Sequence, residues 1–148
     1  MSNKIPAGSI ACTFVSMEDA ETAYNILINR NYSPDEIHIL VSQELTDTCS
    51  ADHVRLVEVF KKGEVLSDKI LISGSLKNDS DLKETTILRH LEACGISDRH
   101  ARQFEINLSE KEIVVIVHPR NETDRREINE EFNYYKGKQI NGSEAYTV

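Results

Sequence analysis

Residues Ile113-Val114-Val115-Ile116-Val117 form an unbroken run of β-branched apolar side chains, and this run limits what the chain can become. A strand with one wet face alternates apolar and polar residues. A strand apolar at every position must be covered on both faces. Five residues are too few for a buried helix, and Pro119 stops the run. The pattern predicts a sheet with this strand at its centre.

The first third supplies a strand–helix–strand unit. Ile10 to Val15 reads as a strand, and Ser16 as the N-cap of a helix with Asp19 three residues on. Met17, Ala20, Ala23, Tyr24 and Leu27 fall on one helical face, with Glu18, Asp19, Glu21 and Asn25 on the other. Asn31 suits a left-handed helix stop, and Ser33-Pro34-Asp35-Glu36 suits a short helical turn. Ile37, Ile39 and Val41 then alternate as a second strand.

Residues 43–84 form a middle segment of irregular pattern. It holds a short helix around Val54, Val57 and Phe60 and a strand from Lys69 to Ser73 ahead of Gly74. Beyond it, Ile87, Leu88, Leu91 and Cys94 make an apolar helix face closed by Gly95. Ser97 caps a further helix carrying Ala101, Phe104 and Leu108. After the central strand, a helix starts at Asn121 or Thr123 with Ile128, Phe132 and Tyr135 turned inward. The tail, 137–148, frays or adds an edge strand at Ala145 to Val148. Asn31-Tyr32-Ser33 and Gly95-Ile96-Ser97 echo one another after a helix, which points to a duplicated arrangement. The expected fold is a single α+β domain over 1–148: a ferredoxin-like sandwich of about four strands, with helices packed on one face.

Two blocks resemble the bacterial general stress protein family, also called the heat-induced stress protein domain. The first is Val15-Ser16-Met17-Glu18-Asp19-Ala20-Glu21 followed by Tyr32-Ser33-Pro34-Asp35-Glu36-Ile37-His38-Ile39-Leu40. The second runs from Leu91-Glu92-Ala93-Cys94-Gly95-Ile96-Ser97-Asp98-Arg99-His100-Ala101 to the Ile113–Val117 strand and Pro119-Arg120-Asn121. Together they cover about half the chain and consist mostly of caps, turns and core positions. The Gly- and Ala-rich apolar segment that many similar proteins carry between such blocks is absent here, where only Gly63 and Gly74 occur. The resemblance implies a fold and a stress-related setting, and it carries over no catalytic residues.

Charge narrows the partners. The chain holds 25 acidic against 17 basic side chains in 148 residues, a net charge of −8. An acidic field repels phosphate backbones and anionic lipid, so nucleic acid and membrane surfaces are not expected partners. No run approaches the roughly 18 apolar residues of a membrane helix. The scattered Cys12, Cys49 and Cys94 and the lack of an apolar leader fit a cytoplasmic setting.

Glycine-rich phosphate loops and a Gly-x-Ser-x-Gly elbow are missing from the sequence. Cys49 with His53, and His90 with Cys94, are pairs at helical four-residue spacing that suit zinc. Cys94 fits the apolar helix face equally well, and the reading adopted is a core residue, no metal and no cofactor. The candidate ligand site is the strand-to-helix junction from His118 to Thr123. There a helix N-terminus offers free backbone N–H groups to an anion, with Arg120 as a clamp, His118 as a switchable charge, and Asn121 and Thr123 beside them. The leading expectation is a non-enzymatic, stress-related or regulatory interaction module. It forms a homodimer that buries the uncovered sheet face and serves an unidentified protein partner. The second is a small-anion or small-ligand sensor built on His118–Thr123.

Overall fold

A computed structural model describes residues 9–47, 54–65, 69–74, 87–93 and 96–141. Their elements run β1 (Ile10–Phe14), α1 (Met17–Asn29), a 3-10 turn (Pro34–Glu36), β2 (Ile37–Ser42) and α2 (Gln43–Thr46). Next come α3 (Val54–Lys61), β3 (Glu64–Val65), β4 (Ile70–Ile72), α4 (Ile87–Ala93) and α5 (Asp98–Ser109). The chain continues through β5 (Ile113–Val117), α6 (Glu122–Tyr134) and β6 (Lys138–Asn141). The fold class is mixed α/β, of the α+β kind.

All six strands join one sheet in the order β3-β4-β2-β5-β1-β6, with every neighbouring pair antiparallel. Residues 113–117 do occupy the centre: Ile10 pairs with Val117 on one side, and Ile37 pairs with the same residue on the other. Within the sheet, β1-α1-β2 and β5-α6-β6 are both split strand–helix–strand units, each straddling a strand of the other. In the chain, α2, α3, β3, β4, α4 and α5 lie between the first unit and the second. The Gly95–Ser97 echo of Asn31–Ser33 leads from α4 into another helix, α5.

One expectation is corrected: the helices do not lie on a single face. Side chains of Ile10, Cys12, Phe14, Ile37, Ile39, Ile113, Val115 and Val117 pack under α1, α3 and α6. The alternate residues Ala11, Leu40, Ile70, Ile72, Val114 and Ile116 pack under α4 and α5 through Ile87, Leu91, Ala101, Phe104 and Leu108. The chain itself thus supplies both covers that the central apolar run demands. The bare face that motivated a homodimer is filled from within, and no second copy is needed to bury it.

The middle segment, read as irregular, contains α2, α3, β3 and β4; the last two widen the sheet beyond β2. The sheet accordingly has six strands, not about four. The edge strand of the tail is Lys138–Asn141, beside β1, while the expected strand at 145–148 lies outside the described residues. Ser16, Ser97 and Asn121 each cap a helix by accepting from the backbone N–H three residues on.

Candidate functional site

The junction after β5 is built, but Arg120 and Asn121 are engaged by the protein's own groups. The Asn121 side-chain oxygen accepts the Asp124 N–H at 2.8 Å, so the side chain that was to hold a ligand caps α6. Arg120 lays its guanidinium over the Tyr32 ring, 4.0 Å from the centroid. From there it donates to the carbonyls of Arg30 (3.2 Å) and Asn31 and to Glu36 Oε1 (3.2 Å). These carbonyls close α1, where Asn31 takes φ 70° and Tyr32 N–H returns to Leu27 C=O at 3.1 Å. A helix end has carbonyls with no partner inside the helix, and Arg120 supplies the missing donors.

Tyr32 ties the same junction together. Its hydroxyl donates to Asp124 Oδ2 at 2.7 Å and accepts from the Arg120 backbone N–H at 3.1 Å. Burial first, then the Asp124 hydrogen bond, push that hydroxyl up to about 12. Arg30 adds ion pairs to Glu127 (2.9 Å) and Glu131 (2.8 Å) on α6. Thr123 is exposed on the first turn of α6.

Two expectations follow for this junction. Arg120→Ala should lower stability by about 1 kcal/mol through the lost stacking and carbonyl contacts, read by urea unfolding. Inorganic phosphate at millimolar concentration should leave the melting temperature of the wild type unchanged, because the guanidinium is already engaged. A phosphate-dependent rise that Arg120→Ala removes would restore the anion-site reading.

His118 is half-buried, and its Nδ1 has no hydrogen-bond partner among the described residues. Burial first, and the nearby Arg125 charge second, hold its pKa below the ordinary 6.5. The unfolded chain therefore binds this proton more readily than the folded one. The stability tied to neutral His118 is present above about 6.5 and is lost as pH falls through the lower folded value. Urea midpoints measured from pH 7.5 downward should show this decline, and His118→Gln should flatten it.

The chain's other sequence candidates do not gather into chemistry. Cys12 is buried in β1, and burial raises its thiol to about 12, far from a reactive thiolate. Cys49, His53, Cys94 and the side chain of His90 lie outside the described residues. Among the described residues there is no cluster of three or more His, Cys, Asp or Glu side chains placed to hold a metal ion. No helix there is long and apolar enough to cross a membrane.

The better site lies on the other side of Tyr32. A cavity of about 360 Å³ opens between α1, α3, the 3-10 turn and the end of β4. Its walls are Tyr24, Ile28, Tyr32, Pro34 and Val59. At its rim stand Asp35 from the turn and Arg55, Glu58 and Lys62 from α3 and its end. The volume is within the range of small-molecule sites, and a mostly apolar wall with a few polar groups is their usual composition. The Tyr24 hydroxyl has no protein partner among the described residues. Burial lifts its pKa above the ordinary value, with Arg55 opposing the rise and Asp35 adding to it.

No relative names this site. No family model, no curated protein and no solved structure matches the chain. The resemblance to the stress protein family stands on the two sequence blocks alone.

The cavity escaped the sequence because its parts serve double duty. Tyr24 sits on the apolar face of α1 and Tyr32 follows the helix stop, so both read as core. The signal that was available is the phenol itself, since a buried tyrosine hydroxyl needs a partner or an opening.

Proposed function

We propose that this protein is a non-enzymatic regulatory module that acts by binding a small, partly apolar molecule in the cavity between α1 and α3. The observation that carries the reading is the Tyr24-Ile28-Tyr32-Val59 wall around about 360 Å³, with charged side chains confined to the rim. Binding there couples to the fold directly. Tyr24 belongs to α1, Val59 to α3, and Tyr32 holds the junction to α6 through Asp124. A ligand that clasps α1 to α3 stabilises the folded state by mass action. The altered surface of α3 is then what an unidentified protein partner reads, in the stress-related setting that the sequence resemblance implies.

Another cavity, of about 530 Å³, lies between α2, β4 and α5 and includes Gln43, Asp47, Lys69 and Glu105. Its walls are more polar, and Glu44 at its edge is already paired with Lys111, so it offers less apolar surface to hold a ligand.

The test uses 1-aminoanthracene, an uncharged fluorophore, with wild type and Val59→Trp. Saturable, one-to-one fluorescence enhancement with wild type, weakened at least about tenfold by the indole that fills the cavity, is the expected result. Equal binding to both proteins, or none to either, would overturn the proposal.

A further inference from the structure

The rim of the α1–α3 cavity carries separated charges of opposite sign. Arg55 stands in the first turn of α3 and Asp35 in the 3-10 turn after α1, and both are exposed. Both line the cavity with Tyr24, and both act electrostatically on its hydroxyl. Yet they form no ion pair with each other or with any other described residue. Glu58, also on the rim, is drawn toward Lys61 at 3.8 Å.

Each class of ligand fits this rim differently. A simple anion meets Arg55 but is repelled by Asp35 and Glu58. A simple cation meets the reverse. An uncharged apolar molecule fills the wall and leaves both rim charges without a partner. A molecule with a carboxylate and an ammonium on neighbouring atoms, and an apolar group beyond them, answers all three features at once. An arginine guanidinium binds a carboxylate through two parallel N–H donors, and a carboxylate accepts from an ammonium.

We propose that the cavity binds a free α-amino acid with an apolar or aromatic side chain, its carboxylate on Arg55 and its ammonium on Asp35. The side chain lies against Ile28, Tyr32 and Val59, and the Tyr24 hydroxyl hydrogen-bonds the carboxylate. This inference rests on the binding role proposed for the cavity and names its ligand class.

The experiment is titration calorimetry of the full chain with L-phenylalanine and L-leucine, alongside 3-phenylpropanoate, which lacks the ammonium, and 2-phenylethylamine, which lacks the carboxylate. At least one amino acid should bind one-to-one, and each truncated compound should bind on the order of tenfold more weakly, the loss of one charge-assisted contact. Arg55→Gln should weaken the amino acid and leave 2-phenylethylamine unaffected, and Asp35→Asn should do the converse with 3-phenylpropanoate. Both substitutions are at exposed positions, so the folded protein is retained for the measurement. Truncated compounds that bind as tightly as the amino acids overturn the inference. So does an absence of amino-acid binding in protein that still takes up 1-aminoanthracene, and in that case the cavity's binding role survives. Failure of the dye as well removes both.

Discussion

Phe104→Ala should destabilise the protein by about 3–5 kcal/mol, the usual cost of removing a fully buried aromatic ring from a core. Phe104 lies on α5 and is 1% exposed, packed with Ile87, Leu91, Ile96, Val114 and Ile116 in the core on the second face of the sheet. A loss of that size is a large part of the 5–15 kcal/mol that holds an ordinary domain together. The result decides whether α4 and α5 are integral to the fold. Phe132→Ala, on the opposite face against Phe14 (rings edge-to-face at 5.6 Å), should cost a similar amount. Both variants should shift a single urea transition, because β5 contributes alternate side chains to each core. A Phe104→Ala protein with an unchanged midpoint, or with a separate early transition, would mean that the α4–α5 layer is only loosely attached.

Gly74→Ala is the second large effect, and its cause is backbone rather than packing area. Gly74 follows β4 with φ +96°, a conformation that side chains beyond glycine rarely adopt. A methyl group there meets His38 Nδ1 at 2.4 Å and the Ile37 carbonyl oxygen at 2.8 Å. His38 is buried inside β2 at 4% exposure, so neither its imidazole nor the strand carbonyl has room to give way. Left-handed strain of about 1–2 kcal/mol and overpacking of about 1–3 kcal/mol act together, so the stability loss should exceed that of an ordinary glycine substitution. Because Gly74 also lines the α1–α3 cavity, 1-aminoanthracene binding should weaken in parallel. A neutral Gly74→Ala variant in urea unfolding would contradict the geometry at this corner.

Acid sensitivity should also have a component at Glu36. Its carboxylate accepts the Ser33 backbone N–H at 2.8 Å and pairs with Arg120, and the first of these is the larger cause of a pKa below the ordinary 4.5. A depressed carboxylate contributes stability that is present above about 4.5 and is lost as pH falls through its lower folded value. Glu36→Gln should therefore lower stability near neutrality and reduce the acid dependence below pH 4.5, as read by urea midpoints against pH.

Much of the local structure was legible because it is fixed by neighbours in sequence. Ser16, Ser97 and Asn121 cap helices through an N–H three residues away, and Asn31 takes its left-handed φ at the end of its own helix. The run from Ile113 to Val117 declared itself a central strand, since a strand with no polar position has no face for water. What it left open was the source of the second cover. A bare sheet face closed by a second copy satisfies the pattern as well as α4 and α5 do, because both bury the same side chains. Only the tertiary arrangement chose between them.

The sites divide in the same way. His118 to Thr123 was visible as a helix N-terminus, but the partners that occupy Arg120 come from 84 to 90 residues earlier in the chain. The cavity joins Tyr24 on α1, Asp35 on a turn, Arg55 on α3 and Gly74 after β4. No spacing rule links such positions, since they meet only when both helices lie on the same sheet face. By itself the sequence determined the elements, their caps and the requirement for a doubly covered sheet, all set by local hydrogen bonds and side-chain periodicity. The tertiary structure alone decided which helices supply the cover, where Arg120 places its donors and which charged side chains line one apolar cavity, because those outcomes depend on distances between segments far apart along the chain.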